Sequence, residues 1–192
     1  MPDAEEIDLL RRCQRRDEQA FRRLVERYQR RTYWIAHNML NHYELAQDIS
    51  QQAFLRVFRN IERFDVTKNF YTWLYQIVVN LCIDHLRRVS HARAASGGED
   101  LGAIADARPG PSEQSGRSEL RERIRRALDR LPPKYKAVLT LRDIQGFSCE
   151  EISEIAGCTN ATVRWRLHRA RKLFRTLWDG REVAAEGEEE AG

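Results

Sequence analysis

The sequence predicts an all-α protein, two small helical domains joined by a flexible linker, the C-terminal one ending in a helix-turn-helix. Three observations predict it. Apolar residues recur at three- and four-residue spacing along most of the 192 residues, and no alternating strand pattern interrupts them. Between Arg93 and Arg117 the periodicity gives way to Ala, Gly, Ser and Pro (AASGGED, DARPGPSEQSG), the composition of a linker. From Ser148 to Arg175, SCEEISEIAGCTNATVRWRLHRARKLFR, two helical stripes flank a glycine.

Charge follows the same partition. Residues 1–92 carry 15 Lys+Arg against 12 Asp+Glu, residues 118–178 carry 14 against 7, and residues 179–192 carry 1 against 6. The net charge of +4 therefore hides a basic second domain beside an acidic tail that is expected to be disordered. Cys13, Cys82, Cys149 and Cys158 form no C-x-x-C pair, and their scatter offers no zinc spacing. Reduced structural thiols, and hence a cytoplasmic protein, are the expectation. No stretch approaches the roughly 18 apolar residues of a membrane span, so no membrane insertion is expected.

In chain order, Asp3 with Glu6 reads as a capping-box-like start to a short helix through about Arg12. Asp17 caps a longer one to about Leu40, with Phe21, Leu24, Val25, Tyr28, Ile35, Ala36 and Met39 as its core stripe. The next helix, from about Tyr43 to Asn60, buries Leu45, Ala46, Ile49, Ala53 and Val57, followed by Ile61. Asp48, Gln51, Gln52 and Arg59 crowd its other side with Leu55 among them. Leu55 there is either a single exposed leucine or the apolar centre of a polar-ringed docking surface.

Asp65–Asn69 reads as a loop, followed by a helix with Phe70, Tyr71, Trp73 and Tyr75 and then Asn80, Asp84, Arg87 and Arg88. Asn80 shares a face with Trp73 and Asp84, and an amide within IVVNLCI asks for a partner. Such aromatics are either core or a platform on which unpaired bases stack, because every base has a π-face.

The linker's 25 residues, 93–117, reach at most roughly 80 Å when extended, enough for two duplex turns of about 35 Å each. The second domain, 118–178, opens with Ser118 as a cap. Pro132 and Pro133 separate its first two helices, and Ile124, Leu128, Leu131, Val138, Leu139, Leu141 and Ile144 supply its core. Ser148 caps the third helix, whose stripe is Ile152, Ile155 and Ala156, and Gly157 ends it. The fourth buries Val163, Leu167, Ala170, Phe174 and Leu177. It turns Arg164, Trp165, His168, Arg169, Lys172 and Arg175 outward, with no acid from Cys158 to Trp178. That face suits phosphates and guanine edges unless it is an ordinary solvated basic surface.

The stretches AFRRLVERY, ELAQDISQQAFLRVFRNIERF, NFYTWLYQIVVNLCIDHLRR, ALDRLPPKYKAVLTLRDIQGFSCEEISEIAG and TVRWRLHRARKL, in this order, resemble the extracytoplasmic-function (ECF) sigma factors, the small two-domain sigma subunits of bacterial RNA polymerase. The resemblance implies that residues 1–92 dock on core RNA polymerase through Asp48, Gln51, Gln52 and Leu55 and recognise and melt the minus-ten element. Phe64, Lys68 and Asn69 would line the pocket for a flipped base, and Tyr71, Trp73, Asn80, Arg87 and Arg88 would help melt and grip the strand. Arg164, Trp165, His168, Arg169, Lys172 and Arg175 would face the minus-thirty-five element. The family commonly pairs with an anti-sigma factor, though no residue here identifies one. Two positions depart from the family pattern: Gln47-Asp48 and Gln51-Gln52 carry fewer acids than is usual, and Trp165 stands where a small residue is common.

No catalytic constellation, cofactor motif or metal-ligand cluster is legible, so the expected mechanism is binding. A stand-alone helix-turn-helix regulator of duplex DNA is the competing reading. Its weakness is the aromatic, base-rich helix, which a sensor or dimerisation module does not need.

Overall fold

The computed structural model describes residues 3–95 and 115–180, all of whose regular elements are helical. Helix α1 (Ala4–Gln14) is capped by the Asp3 carboxylate, which accepts from the Glu6 N–H at 2.7 Å. Glu6 turns inward, where its carboxylate accepts a short bond from the Tyr28 hydroxyl. Helix α2 (Glu18–Leu40) starts on Asp17, which accepts from the Ala20 N–H at 3.0 Å and from Arg12 at 3.0 and 2.7 Å. Asn41, at φ 53°, closes it in the left-handed region that asparagine tolerates. Helix α3 spans Tyr43–Asn60, a 3₁₀ turn follows at Ile61–Arg63, and α4 runs from Phe70 to Ala95. Leu24, Ile35, Met39, Ala53, Val57, Phe70, Leu74 and Val78 are fully buried where α2, α3 and α4 meet.

The second unit consists of α5 (Ser115–Asp129), α6 (Pro133–Leu139), a π-helical turn at Thr140–Ile144, α7 (Cys149–Ala156) and α8 (Asn160–Trp178). Pro133 stands in the first turn of α6, where its missing N–H leaves no donor unsatisfied. The π turn, closed by the Gln145 N–H on the Thr140 carbonyl at 2.9 Å, ends α6, and the Phe147 N–H then returns to the Leu141 carbonyl at 3.0 Å. Ser148 and Glu151 form a complete capping box on α7 (2.7 and 3.1 Å), and Gly157 terminates it at φ 61°. Thr159 caps α8 through the Thr162 N–H at 3.1 Å.

Several expectations are corrected. The first helix of the second unit begins at Ser115, so Ser118 lies inside α5 rather than capping it. Helix occupies both ends of the expected linker, up to Ala95 and from Ser115; its middle and the acidic tail beyond Gly180 lie outside the described residues. Ile124 and Ile144 are 38% and 46% exposed rather than core, because the inward sides of their turns are taken by Ala127, Leu128 and Leu141. On α8 Leu173 is the buried residue, while Phe174 is half-buried beside Trp178, with ring centroids 6.1 Å apart. Ala156 is likewise half-buried.

The two units touch. Helix α4 packs against α7 and α6, and α2 reaches the π turn. A methyl group on Gly157 would meet only the flexible end of Gln76 at 3.2 Å, so its penalty would be the left-handed backbone. Gly157→Ala is accordingly expected to lower unfolding free energy by about 1 to 2 kcal/mol, measured by urea denaturation of the full chain.

Candidate nucleic-acid interface

The α8 surface arises from periodicity. Val163, Leu167, Ala170, Leu173 and Leu177 face inward on α6 and α7, which turns Arg164, Trp165, His168, Lys172 and Arg175 to solvent and leaves Arg169 half-buried. Trp165 is 52% exposed and touches only the edge of the core, its ring 6.2 Å from that of Tyr135. Glu150 of α7 reaches the first turn of α8. It accepts from the Asn160 amide at 3.0 Å, and hydrogen bonding holds its carboxyl below the usual range: first its own backbone N–H, then Asn160 and Ser148. Arginines, an ammonium and an imidazole thus lie along one side of a helix with an indole among them, an arrangement able to meet phosphates and base edges together.

The second surface is the loop before α4. Gln14 donates to the Ile61 and Phe64 carbonyls at 3.1 and 2.8 Å, fixing where the loop leaves the 3₁₀ turn. Asp65 accepts from the Thr67 hydroxyl and N–H at 2.7 and 3.0 Å, which lowers its pKa and makes a tight Asx turn. The Thr72 hydroxyl donates to the Asn69 carbonyl at 2.8 Å. Phe64 stacks on Trp73, centroids 4.8 Å apart, and both rings lean edge-on against buried Phe70. Lys68 is exposed on the same loop, and Asn80, Arg87 and Arg88 are exposed further along α4.

The structure brings Phe64, Trp73 and Phe70 together and sets Asn80 along the same side of α4. It does not bring Tyr71 there. At about 100° per residue Tyr71 stands some 160° round α4 from Trp73; its hydroxyl donates to Glu151 Oε1 at 2.9 Å, in the other unit. Burial, and then that carboxylate, push the Tyr71 phenol up to about 12. Asn80, whose amide was expected to need a partner, is exposed and can be satisfied by water.

A third surface lies on α3, where Asp48, Gln51, Gln52 and Leu55 are all exposed, Leu55 at 54%. The sequence reading missed Phe58, one turn beyond Leu55. Its ring is 38% exposed, edge-on to Phe21 at 5.0 Å and under the Arg16 guanidinium at 4.9 Å. The signal available was its i+3 spacing from Leu55. Phe147 was missed as well; it sits between elements, where periodicity is silent.

This geometry defines a helical protein with a basic, outward-facing helix on one unit and an aromatic loop-and-helix surface on the other. The family models for Sigma-70 region 2 and Sigma-70, region 4 match residues 24–92 and 121–174. An ECF RNA polymerase sigma factor SigW from Bacillus subtilis is 33% identical over 86% of this chain and 92% of its own. The ECF RNA polymerase sigma-E factor of Escherichia coli is 34% identical over 86% and 90%. SigE of Mycolicibacterium smegmatis is 35% identical over 79% of this chain, which spans only 59% of that longer relative. Two solved structures share the fold: CnrH in complex with the cytosolic domain of CnrY (TM-score 0.66, 22% identity, 92% and 99% covered) and RpoE in complex with NepR from Bartonella quintana (0.65, 20%, 83% and 96%). The chain belongs to the ECF sigma factor family.

Exposure sorts the α4 side chains by what they contribute to folding. Asn80→Ala is expected to leave unfolding free energy within about 0.5 kcal/mol. Trp73→Ala, which removes a ring packed on both Phe64 and Phe70, is expected to lose about 2 kcal/mol. Urea titration of both variants checks the contrast.

Proposed function

We propose that this sigma factor divides its work between its two units. The first docks on core RNA polymerase through Asp48, Gln51, Gln52 and Leu55 and captures the minus-ten strand with Phe64, Lys68, Asn69, Trp73, Asn80, Arg87 and Arg88. The second reads the minus-thirty-five element with the outward face of α8. The observation that carries this reading is the match of one chain to both sigma regions in order, region 2 over residues 24–92 and region 4 over 121–174. A stand-alone regulator would use only the second. Both solved relatives named above are held by a protein partner, the cytosolic domain of CnrY or the anti-sigma factor NepR, and an anti-sigma factor is a third partner on this reading.

The mechanism is binding rather than bond chemistry. Salt-sensitive contacts from Arg164, His168, Arg169, Lys172 and Arg175 to phosphates supply affinity. Unstacking a base costs a few kcal/mol, which the Phe64–Trp73 stack and the neighbouring amides offset. Tyr71 joins that set only if α7 leaves it, since its hydroxyl is held by Glu151.

Run-off transcription with purified core polymerase tests the reading. Asp48→Arg reverses charge on an exposed side chain beside Leu55 and is expected to reduce co-purification with core enzyme at least tenfold, about 1.4 kcal/mol, with helix content unchanged. Equal co-purification would remove α3 from the docking surface. Asn80→Ala is expected to weaken permanganate reactivity of unpaired thymines more than it weakens duplex binding.

Trp165→Ser is expected to change preference at about one upstream base pair, worth ~1 to 3 kcal/mol, while affinity for unrelated duplex is kept. The indole's one N–H cannot make the bidentate guanine contacts open to its arginine neighbours. Selection from a randomised upstream-element library reports it, and an identical selected set from parent and variant would show that Trp165 does not read DNA.

A further inference from the structure

Helix α8 opens on an asparagine whose amide is held from outside the helix. The Asn160 Nδ2 donates to Glu150 Oε1 of α7 at 3.0 Å. The cap of α8 is made without it: the Thr159 hydroxyl oxygen accepts from the Thr162 N–H at 3.1 Å and lies 2.8 Å from the Thr162 hydroxyl. Glu150 is anchored in its turn, since its own backbone N–H and Ser148 hydrogen-bond its carboxylate and the Arg164 guanidinium attracts it.

A carboxylate accepts hydrogen bonds and cannot donate them, so Glu150 selects the nitrogen end of the amide. One N–H of Asn160 is thereby taken. The other N–H and the carbonyl oxygen have no further partner among the described residues. That donor–acceptor pair is what an asparagine offers to N7 and N6–H of adenine in the major groove. A lone surface amide turns freely end for end, whereas this one is turned by its neighbour. Asn160 is half-buried on the same edge of α8 as Arg164, four positions on, and the exposed Ala161 beside it is too short to obstruct an approaching base edge.

We infer that Asn160 reads an adenine of the upstream element and that Glu150 is its positioning residue, turning the amide so that its free N–H and oxygen meet the base edge. The inference rests on the reading of α8 proposed above. Asn160 precedes Trp165 by five residues, about 7.5 Å along the axis. Successive base pairs are about 3.4 Å apart, so the two side chains meet different base pairs. A carboxylate close to the DNA backbone lowers affinity for every duplex alike. Its presence beside a basic face therefore contributes orientation and not strength.

Selection from a promoter library with a randomised upstream element, by the full-length chain bound to core polymerase, tests the inference. The parent is expected to favour adenine at one position by about tenfold. Asn160→Ala is expected to lose that preference and to keep those at the other positions, including the one that Trp165→Ser alters. Asn160→Asp keeps the side-chain size and suits the first turn of a helix; it has no N–H for adenine N7 and is expected to lose the preference as well. Glu150→Ala is expected to cut it to about threefold, and Glu150→Gln, whose amide oxygen still accepts from Asn160, to retain it in full.

A selected set that Asn160→Ala leaves unchanged would overturn the inference. So would an equal loss of preference at every position, which is what a purely structural staple between α7 and α8 would give, and undiminished preference in Glu150→Ala would overturn the positioning role. The wider reading is scored by the parent alone. If the parent with polymerase selects a defined upstream sequence in which no adenine depends on Asn160, the sigma reading stands and the inference falls. If the parent selects no upstream sequence, the reading of α8 falls and the inference with it.

Discussion

Helix α4 has to satisfy two neighbours with opposite sides, and most of the architecture follows from that constraint. One side carries Trp73, which packs on Phe64 and Phe70 at the head of the helix and leaves Asn80, Arg87 and Arg88 open further along. The other carries Tyr71, Tyr75 and Cys82, which α6 and α7 cover. Burial there raises the Cys82 thiol to about 12 against the opposing pull of the Lys136 ammonium, itself 2% exposed and paired with Asp129 at 2.6 Å. The first half of the helix is apolar over most of its circumference and largely covered, Asn80 excepted, whereas the polar second half is mostly open.

That dual burial explains which parts of the molecule were legible in the sequence. Helices α2 and α3 carry their own signals at both ends: Asp17 before the first, the left-handed Asn41 between them, and a stripe that returns every three or four residues. Their limits, Glu18–Leu40 and Tyr43–Asn60, match the expectation. Helix α7 was equally readable from Ser148, Glu151 and Gly157, because a capping box and a glycine stop are local chemistry. The start of α5 was misplaced because two serines, Ser115 and Ser118, could each open a helix, and nothing local chose between them.

The surfaces were legible to different degrees for the same reason. Periodicity on α8 picked out the outward Arg164, Trp165, His168 and Lys172, since a single amphipathic helix packed on one side has a unique exposed face. Leu55 stood out against the polar face of α3 and is exposed, as both of its readings required. On α4, composition alone could not separate Tyr71 from Trp73. Both are aromatic and two positions apart, yet one faces the loop and the other faces Glu151. Phe147 carried no sequence signal: a phenylalanine after a glycine, between a π turn and a helix, has no partner within its own element, and its role appears only when the second unit is seated on the first.

Glu151 shows how local and long-range structure become coupled. As the third residue of α7 it accepts the Ser148 N–H, which any helix with this capping box would do; as a neighbour of α4 it also accepts the Tyr71 hydroxyl. Burial opposes its ionisation, and the bonds from Ser148 and Tyr71 outweigh that and hold its carboxyl below the usual range. The bond to Ser148 is local to α7, whereas the bond from Tyr71 exists only because α4 packs on α7.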